Sequence, residues 1–503
     1  MLHWRRQAAD APLHFVPTMG ALHAGHQSLI RRAAAISTGR TPRVLVSVFV
    51  NPLQFGPSED FDHYPRTLAA DAELAAAAGA EALFAPSVAE LYPDGDAELT
   101  RLQPPASLQR GLCGARRPGH FDGVAAVVAR LLGLIRPDAL LLGEQDWQQL
   151  VILRRVVVDL GLPVQVIGCR TQREADGLAL SSRNRYLTAE QRQQAAALPR
   201  ALMATRQQRS ATPSQLMAQV VAELASAGLV VDYVEAVDPH SLQPAAQLRG
   251  LTLLAAAAHC GPSRLIDHVF LMSRQPIIAI DGPAGAGKST VTRAFAEQLG
   301  LIYLDTGAMY RAVTWLVQRS GADPSDAHAV AAQLENLNLE LSTSAHGAQR
   351  VSVNGHDVTD AIRSPEVTGQ VSVVAAHGCV REALTRQQQA MGERGGLVAE
   401  GRDIGTAVFP DADLKVFLTA TVAERARRRA RDLQQRGFAV PDLSELEAQI
   451  AERDHLDSTR AVAPLTQAAD AVEVVTDGMA IAAVIERLVS LFRARVPEDA
   501  WPG

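Results

Sequence analysis

A single lysine closes a glycine-rich run and marks a site for phosphate chemistry. The sequence holds two lysines, Lys288 and Lys415, among 48 basic residues, and Lys288 ends the run GPAGAGK at 282–288, which Ser289 and Thr290 continue. Glycines let backbone N–H groups turn inward around an oxyanion, and the slim ammonium of a lysine reaches the outer phosphates of a nucleotide. Arginine, with its planar fork, does not substitute there. The run therefore predicts binding of a nucleoside triphosphate.

A second candidate site lies near the N terminus, where two histidines stand three residues apart. The stretch 16–26 (VPTMGALHAGH) is typical of a strand that turns into a helix, with His23 and His26 at the helix start. Two imidazoles in that position can face the same bound anion. A structural pair or half of a metal site is an open alternative for this spacing, although no third ligand with metal spacing accompanies it.

Strand-like and helical stretches alternate along the chain and predict an α/β fold with mainly parallel sheets. The apolar runs 43–50 and 139–142 are predicted strands, and 121–136 is a predicted helix. Another predicted strand, 276–281, runs directly into the glycine-rich run, as at the start of a nucleotide-binding domain. The apolar residues of the helix fall at the spacing of one buried stripe, which comprises Val124, Val127, Val128, Leu131, Leu132 and Ile135.

These patterns divide the chain into two predicted domains. The first occupies 1–274, with a core at about 1–172 and a C-terminal subdomain at about 173–274, and the second occupies 275–503. The boundary lies just before the strand that precedes the glycine-rich run, with almost no linker.

Composition limits the classes of partner. Hydrophobic residues make up 47% and charged residues 20% of the 503, and the net charge of −6 leaves no overall footprint for nucleic acid. The four cysteines are far apart in sequence and form no ligand-type pair, which argues against a zinc site or a disulfide framework. No secretory signal begins the sequence, and no apolar run reaches the length of a membrane span. We therefore expect a cytosolic protein with no membrane or nucleic-acid partner.

Six segments of the first domain, taken in order, resemble the pantothenate synthetase family from about residue 12 to residue 272. The resemblance implies a Rossmann-like nucleotidylyltransferase-type domain with a small C-terminal subdomain, assembled as a homodimer. It also implies that ATP and pantoate form pantoyl adenylate and pyrophosphate, after which β-alanine attacks to give pantothenate and AMP. The segments are 16–26, 49–56 (FVNPLQFG), 64–66 (YPR), 117–124 (RPGHFDGV), 143–149 (GEQDWQQ) and 173–187 (READGLALSSRNRYL).

The same resemblance assigns roles to individual residues. His23, His26 and Arg183 are the implied catalytic residues, with His26 the candidate proton donor. Asn51, Gln54, Tyr64 and Gln149 are the implied contacts for pantoate and β-alanine. The implied contacts for ATP are Met19, Gly20, His23, His26, Gly143, Glu144, Gln145, Asp146, Gln172, Leu180, Ser181, Ser182 and Arg183.

One of these positions departs from the family pattern. Relatives usually carry Gly-Glu-Lys-Asp where this chain has 143–146 as GEQD, so Gln145 replaces a lysine that stabilises charge at the reacting phosphate. Loss of a comparable donor typically costs ~10²–10³ in rate. We expect Arg117, Arg183 or Mg²⁺ to compensate. The alternative is an active kinase that carries a slow or non-catalytic synthetase-like domain.

The second domain resembles bacterial cytidylate kinases from about residue 276 to residue 495. Beyond the glycine-rich run, the resemblance rests on 304–311 (LDTGAMYR), 400–406 (EGRDIGT), 452–454 (ERD) and 460–465 (RAVAPL). It implies a P-loop nucleoside monophosphate kinase domain that transfers the terminal phosphoryl group of ATP to CMP or dCMP. The chain is thus expected to be a bifunctional enzyme that uses Mg²⁺ with ATP and holds no tightly bound cofactor.

Residue-by-residue matching again gives the implied site. Lys288 is the implied catalytic residue, and Ser289 is expected to bind Mg²⁺ through ATP. The implied contacts for ATP are Gly282, Gly285, Gly287, Lys288, Ser289 and Thr290. The implied contacts for CMP are Thr306, Arg311, Ser372, Arg381, Arg402, Asp403, Arg453, Asp457 and Arg460.

An arginine-rich run, 424–431 (ERARRRAR), follows a predicted strand at 414–418. Such a run is most often a solvated helix face, and it is also compatible with a nucleic-acid patch or with a lid that closes over ATP. The acidic overall charge and the lack of aromatic residues between basic ones favour the lid over a nucleic-acid-stimulated ATPase.

Overall fold

The computed structural model describes residue 4 and residues 11–36, 40–56, 61–95, 98–208, 210–248, 250–343, 349–435, 437, 439–460 and 462–502. By its internal contacts the chain divides into two compact units. One comprises the chain up to Ser273 together with Val496–Pro502, and the other is Arg274–Arg495. The second domain was predicted to continue to residue 503, and the structure differs there, because 496–502 packs within the first unit.

The first unit is built on a sheet of five parallel strands, β1 (Leu13–Thr18), β2 (Arg43–Val48), β3 (Ala82–Phe84), β4 (Ala139–Gly143) and β5 (Gln165–Cys169). Their spatial order is β3-β2-β1-β4-β5. The order reverses between β1 and β4, and ligands bind at such a switch point, beyond the carboxyl ends of the strands. The helices are α1 (Ala24–Ala35), α2 (Leu68–Ala77), α3 (Val88–Leu91), α4 (Leu112–Arg116), α5 (His120–Ile135) and α6 (Trp147–Asp159).

Three elements predicted from periodicity are confirmed here. The predicted strands 43–50 and 139–142 correspond to β2 and β4, and the predicted helix 121–136 corresponds to α5. All six residues of the predicted apolar stripe are buried, and burying each such side chain contributes about 1.5–3 kcal/mol relative to exposure. Helix α5 begins after Gly119 and ends at Arg136, both of which have positive φ.

A small subdomain follows this core within the first unit. It contains an antiparallel sheet, β6 (Val230–Val237), β7 (Leu251–Cys260) and β8 (Ser263–Met272), with helices α7 (Ala189–Ala195), α8 (Ala197–Ala204) and α9 (Pro213–Ser226). The chain crosses from the core near Arg173, whose guanidinium pairs with Asp267 of β8 at 2.6 Å. This bidentate pair anchors the start of the 173–187 segment to the subdomain sheet.

The described residues of the second unit form two sheets. One is parallel, from β9 (Ile277–Asp281), β10 (Ile302–Asp305), β14 (Leu397–Gly401), β15 (Leu414–Thr419) and β16 (Val472–Val475), in the order β10-β14-β9-β15-β16. The other is antiparallel, from β11 (Leu339–Thr343), β12 (Gln349–Val353) and β13 (His356–Asp357). The helices are α10 (Lys288–Gln298), α11 (Thr306–Ser320), α12 (Ala327–Leu334), α13 (Pro365–Ala376), α14 (Gly378–Gly392), α15 (Val422–Gln435), α16 (Leu443–Thr459) and α17 (Ile481–Arg495).

Strand β9 explains the position of the glycine-rich run. All five of its residues are buried, and it has parallel neighbours on both sides. Its first four residues are apolar, as is typical of a central parallel strand that is covered on both faces. Its carboxyl end opens into the run, and α10 then starts at Lys288. Both units are therefore α/β, as predicted.

Two further findings bear on the expectations from composition. Within the described ranges, no helix combines the length and the apolar character needed to cross a bilayer. The four cysteines, Cys113, Cys169, Cys260 and Cys379, carry free thiols.

Candidate active sites

The two histidines of the first unit are held by the start of α1. His23 is the N-cap residue, and its Nδ1 accepts from the Gly25 N–H at 3.2 Å, while Nδ1 of His26 accepts from the His23 N–H at 3.4 Å. The ring centroids are 4.1 Å apart. Because both Nδ1 atoms act as acceptors, each neutral ring carries its proton on Nε2. Two Nε2–H groups are thereby available for an anion at the helix N terminus.

Burial keeps these imidazoles neutral. It lowers the pKa of His26 to about 3, with a smaller contribution from His23. The pKa of His23 is also lowered, by burial first and then by the charge of Arg185. Both rings are therefore neutral and can donate from Nε2, and the acid form of His26 requires a nearby negative charge.

The serine–serine–arginine stretch lies beside this histidine pair. A Cβ built on Gly25 would lie 3.5 Å from the Cβ of Leu180, which precedes Ser181 and Ser182. Ser181 caps a short 3-10 helix (Ser182–Tyr186), and its Oγ accepts from the Arg183 N–H at 3.3 Å. The structure thus brings the start of the serine–serine–arginine stretch, at Leu180, next to the helix start that carries the histidines, although the two are far apart in sequence.

Gln54 and its neighbours form the next wall. Gln54 Nε2 donates to Met19 Sδ at 3.0 Å, and its Oε1 accepts from Asn51 Nδ2 at 3.3 Å. Asn51 is 1% exposed and also bonds to Tyr92 and Gly123. The Asn51 amide is therefore hydrogen-bonded within the protein, and Asn51 shapes the pocket by positioning Gln54.

Arg117 and His120 belong to the same wall, and His120 was missed among the site residues. His120 Nδ1 donates to the Gln54 carbonyl at 2.7 Å, and its Nε2 lies 3.0 Å from Arg117 Nη1. The ring of Tyr64 faces the guanidinium of Arg183 at 5.9 Å. His120 could have been identified from the sequence, because it lies three residues after Arg117 in the RPGHFDG stretch that supports the family resemblance.

A cleft of about 920 Å³ opens from this wall between the core and the small subdomain. Asp146 and Gln149 lie at the first turn of α6, and Asp146 interacts electrostatically with Arg117, Arg183 and Arg264. Arginines and carboxylates therefore share the described lining of the cleft, whose acidic residues are Asp146, Asp232 and Asp267. Its lining includes the predicted site residues Gln145, Asp146, Gln149, Ser181 and Arg183.

The other predicted contacts of the first unit are not among the described residues that line this cleft, and they are Met19, Gly20, His23, His26, Asn51, Gln54, Tyr64, Gly143, Glu144, Gln172, Leu180 and Ser182. Gly20 has φ +88 in the loop after β1, and Gly143 ends β4. The Gln172 carbonyl accepts from the Leu180 N–H at 2.9 Å. Glu144 is buried, and burial, followed by the charge of Asp499, raises its pKa to about 7.

In the second unit, the glycine-rich run forms a phosphate loop. A Cβ on Gly282 would lie 2.0 Å from the carbonyl oxygen of Leu418, and Gly285 and Gly287 have φ of +77 and +85. Only glycine meets these constraints without strain. The loop needs each of these glycines for its path around a phosphate.

Lys288 is buried under this loop. Its Nζ donates to the carbonyl oxygens of Gly282 and Pro283, both at 2.8 Å, and the residue is 5% exposed. Burial, with a smaller contribution from Arg402, lowers its pKa to about 7. The ammonium is therefore held by two weak acceptors that a phosphate oxygen can replace.

Hard oxygen donors gather beside Lys288. Ser289 Oγ donates to Glu400 Oε1 at 2.5 Å, and Tyr303 donates to Glu400 Oε2 at 3.0 Å. Hydroxyl and carboxylate oxygens are the donors that Mg²⁺ prefers. The donor set at Ser289 and Glu400 therefore fits a Mg²⁺ ion carried by ATP.

Arginine–carboxylate pairs build the opposite side of the cavity. Asp403 pairs with Arg381, and its other oxygen lies 3.4 Å from Arg460. Arg402 pairs with Asp457 at 3.0 Å. All nine predicted CMP contacts, with five of the six predicted ATP contacts, line one cavity of about 940 Å³, the exception being Gly282.

Two further residues near the phosphate loop were not among the predicted site residues, and of these Arg428 lines the cavity whereas Asp281 does not. Asp281, at the end of β9, accepts from the N–H groups of Ile404 and Gly405 at 2.8 and 2.7 Å, and burial raises its pKa to about 6. Arg428 of the arginine-rich run donates to the Ala286 carbonyl of the phosphate loop at 3.0 Å. The run thus faces the phosphate side of the cavity, in keeping with the lid interpretation.

Comparison with known proteins follows the same division. The family model for pantoate-beta-alanine ligase matches residues 1–270, and the model for cytidylate kinase matches residues 278–494. A "Bifunctional pantoate ligase/cytidylate kinase" of Parasynechococcus marenigrum is 68% identical over 491 residues, which cover 98% of this chain and 96% of that protein. One of Prochlorococcus marinus is 64% identical, covering 100% and 99%.

Among solved structures, pantothenate synthetase from Thermus thermophilus is 44% identical and covers 52% of this chain and 96% of its own, with a TM-score of 0.49. The matches over the whole length, and over both units, identify one class of enzyme. The chain therefore belongs to the family of bifunctional pantoate ligase/cytidylate kinases.

Proposed function

We propose that the first unit joins pantoate and β-alanine through pantoyl adenylate, releasing AMP and pyrophosphate, and that the second unit phosphorylates CMP or dCMP. One observation carries this proposal. Each unit has its own anion site at a helix N terminus, with the histidine pair at α1 and Lys288 at α10. Two such sites fit two ATP-dependent reactions on one chain.

In the ligase reaction, the protein mainly positions reactants and neutralises charge. Adenylation requires the pantoate carboxylate to lie in line with the α-phosphorus of ATP. The Nε2–H groups of His23 and His26 are suited to the phosphate oxygens. The triphosphate raises the pKa of both rings by its negative charge, which opposes the effect of burial. His26 can then give up a proton as charge develops on the departing pyrophosphate.

The arginines of the cleft are proposed to replace the family lysine. Arg117 and Arg183 interact with Asp146 and line the cleft that Gln145 also lines, whereas Arg264 is paired with Asp232 at 2.8 Å. Guanidinium groups bind phosphate oxygens in bidentate fashion. The amides of Gln54 and Gln149 can both donate and accept, as recognition of the pantoate hydroxyl and carboxylate groups requires.

In the kinase reaction, Lys288 is proposed to exchange its two carbonyl acceptors for the β- and γ-phosphate oxygens. That exchange also restores the charge that burial disfavours. Ser289 and Glu400 would hold Mg²⁺, which neutralises charge between the two phosphates when it is bound. Arg428 of α15 donates to the Ala286 carbonyl of this loop and can close on the donor phosphates.

Asp403 is proposed to select the base. A carboxylate accepts from the exocyclic amine of cytosine, which uracil lacks. Arg381 and Arg460 hold this carboxylate in place.

Product analysis on one preparation tests both halves of the proposal. Pyrophosphate and AMP should form only when pantoate is present, and pantothenate only when β-alanine is added. CDP and ADP should form with CMP. Pyrophosphate release that does not depend on pantoate would contradict the ligase half of the proposal. A failure to phosphorylate CMP would contradict the kinase half.

Gln145→Lys is expected to raise the rate of adenylation by up to about 10²-fold, because a cation returns to the reacting phosphate. Pyrophosphate release in the first turnover measures this rate. Gln145→Met is the matched control, since it keeps side-chain length without a charge or a donor, and it should not raise the rate. Equal or lower activity of the lysine variant would show that the arginines leave no electrostatic deficit.

Two further expectations belong to this proposal. Assembly as a homodimer through the first unit, and a cytosolic location, both come from the resemblance and the composition. Sedimentation of the purified chain and fractionation of cells measure them directly.

A further inference from the structure

The last residues of the chain form a turn that packs within the first unit. Val496 is 1% exposed and Pro497 is buried. The N–H groups of Ala500 and Trp501 both donate to the Pro497 carbonyl, at 3.1 and 3.0 Å. Ala500 also packs against the main apolar cluster of the unit. Residues 496–502, the C-terminal segment, are therefore held by hydrogen bonds within the turn and by apolar packing against the first unit.

The backbone of this segment holds Glu144. The N–H of Glu498 donates to Glu144 Oε1 at 3.2 Å, and the N–H of Asp499 donates to Oε2 at 3.0 Å. Glu144 is 1% exposed, and among the described residues both hydrogen bonds to its carboxylate come from the C-terminal segment. A buried carboxyl group without partners is costly. The segment therefore stabilises the turn that leads from Glu144 into Gln145 and Asp146.

The side chain of Asp499 binds the segment that follows β5. Its Oδ2 accepts from the N–H of Thr171 at 3.2 Å and from Thr171 Oγ1 at 2.5 Å, and its Oδ1 lies 3.7 Å from Arg170. The Asp499 carbonyl accepts from Arg206 of the small subdomain at 3.0 Å. Thr171 lies where the chain leaves β5 for that subdomain. Asp499 thus contacts both the segment that leaves β5, at Thr171, and the small subdomain, at Arg206.

The segment lies beside the cleft and does not fill it. Described residues that line the cleft fall between 63 and 268, so the C-terminal segment is outside this lining. Glu498 pairs with Arg32 at 3.2 Å, about 9 Å along α1 from His26. These contacts favour a supporting role over a plug that blocks the nucleotide.

We propose that the C-terminal segment is a positioning element of the ligase nucleotide site, with Asp499 as its positioning residue. This rests on the proposed function, in which Asp146 and Gln172 belong to the ATP site. The backbone of 498–499 fixes the turn before Asp146, and the Asp499 carboxylate fixes the residue before Gln172. The segment follows α17, so the ligase site depends on residues that come after the entire kinase sequence.

The test compares Asp499→Ala and a chain that ends at Arg495 with the unaltered protein. Asp499→Ala is expected to raise the KM for ATP in pantothenate formation about tenfold, as loss of hydrogen bonds to a charged group does, with kcat changed less than about twofold. The shortened chain should show a larger rise. CMP phosphorylation in the same samples should stay unchanged.

Glu498→Gln is the matched control. Its side chain pairs only with half-exposed Arg32 among the described contacts, and its N–H still reaches Glu144. The KM for ATP should therefore stay at the wild-type value. Asp499→Asn keeps an oxygen acceptor for Thr171 and should recover part of the affinity.

Hydrogen exchange of the Thr171 amide gives a readout that does not depend on turnover. Exchange should be at least about tenfold faster in Asp499→Ala than in Glu498→Gln. If the unaltered chain makes no pantothenate, the proposed function fails, and this exchange rate still decides the positioning role. The inference is overturned if exchange of the Thr171 amide is the same in Asp499→Ala as in the control. It is also overturned if Asp499→Ala and the chain that ends at Arg495 both lose kcat and melting temperature while the KM for ATP stays constant.

Discussion

Lys288→Ala is expected to lower CMP phosphorylation by at least ~10²–10³-fold, because the substitution removes a buried cation from the donor phosphates. Its Nζ lies within 2.8 Å of two carbonyls of the phosphate loop, where a phosphate oxygen would replace them. Pantothenate formation in the same preparation should continue at the wild-type rate. Both rates are measured by product chromatography.

Lys415→Ala is the matched control for this prediction. Lys415 is the other lysine of the chain, is 8% exposed and pairs with Asp470 at 2.9 Å, and it does not line the cavity. Its removal should lower stability without a specific loss of phosphorylation. Parallel loss of both activities in a folded Lys288→Ala protein would contradict two independent sites.

His26→Ala should lower pantoyl adenylate formation by ~10²–10³-fold and leave CMP phosphorylation unchanged. The reason is loss of an Nε2–H donor at the α1 N terminus, where charge develops on the phosphates. The substitution also removes the acceptor for the His23 N–H, which costs about 1 kcal/mol of stability. His26→Asn offers an amide oxygen to that N–H and separates the two effects.

The low pKa of His26 gives this prediction a pH signature. Its folded-state pKa of about 3 lies below the unfolded value of 6.5. The unfolded chain therefore binds the proton first, and the neutral buried ring favours folding above pH 6.5. This contribution is lost as pH falls from 6.5 towards 3. Thermal melting of His26→Asn should fall less over that interval than melting of the wild type, and parallel curves would rule out the linkage.

Local patterns were sufficient for the phosphate loop and the histidine pair. The positive φ angles of Gly285 and Gly287 depend on the loop itself. The placement of His23 and His26 depends on where α1 begins, which is a local property of the chain. The stripe of α5 was also predictable, because helical periodicity decides which face is buried. In these cases the chemistry follows from residues that are neighbours in sequence.

Contacts between distant segments were not predictable in the same way. Asp281 meets the amides of Ile404 and Gly405, and His120 bonds to Gln54, across separations of 123, 124 and 66 residues. Spacing carries no information on such pairs, since they arise when strands and helices pack.

The sequence by itself determined the two α/β units, the phosphate loop, the paired imidazoles and the family resemblance, because each depends on short-range geometry or on ordered motifs. Only the tertiary structure decided that 496–502 packs within the first unit, that its amides hold Glu144, and that burial leaves His26 neutral. The physical reason is that burial and long-range hydrogen bonds depend on the whole fold. A local sequence pattern specifies which side chains are present. Packing of the whole fold sets their protonation states and their hydrogen-bond partners.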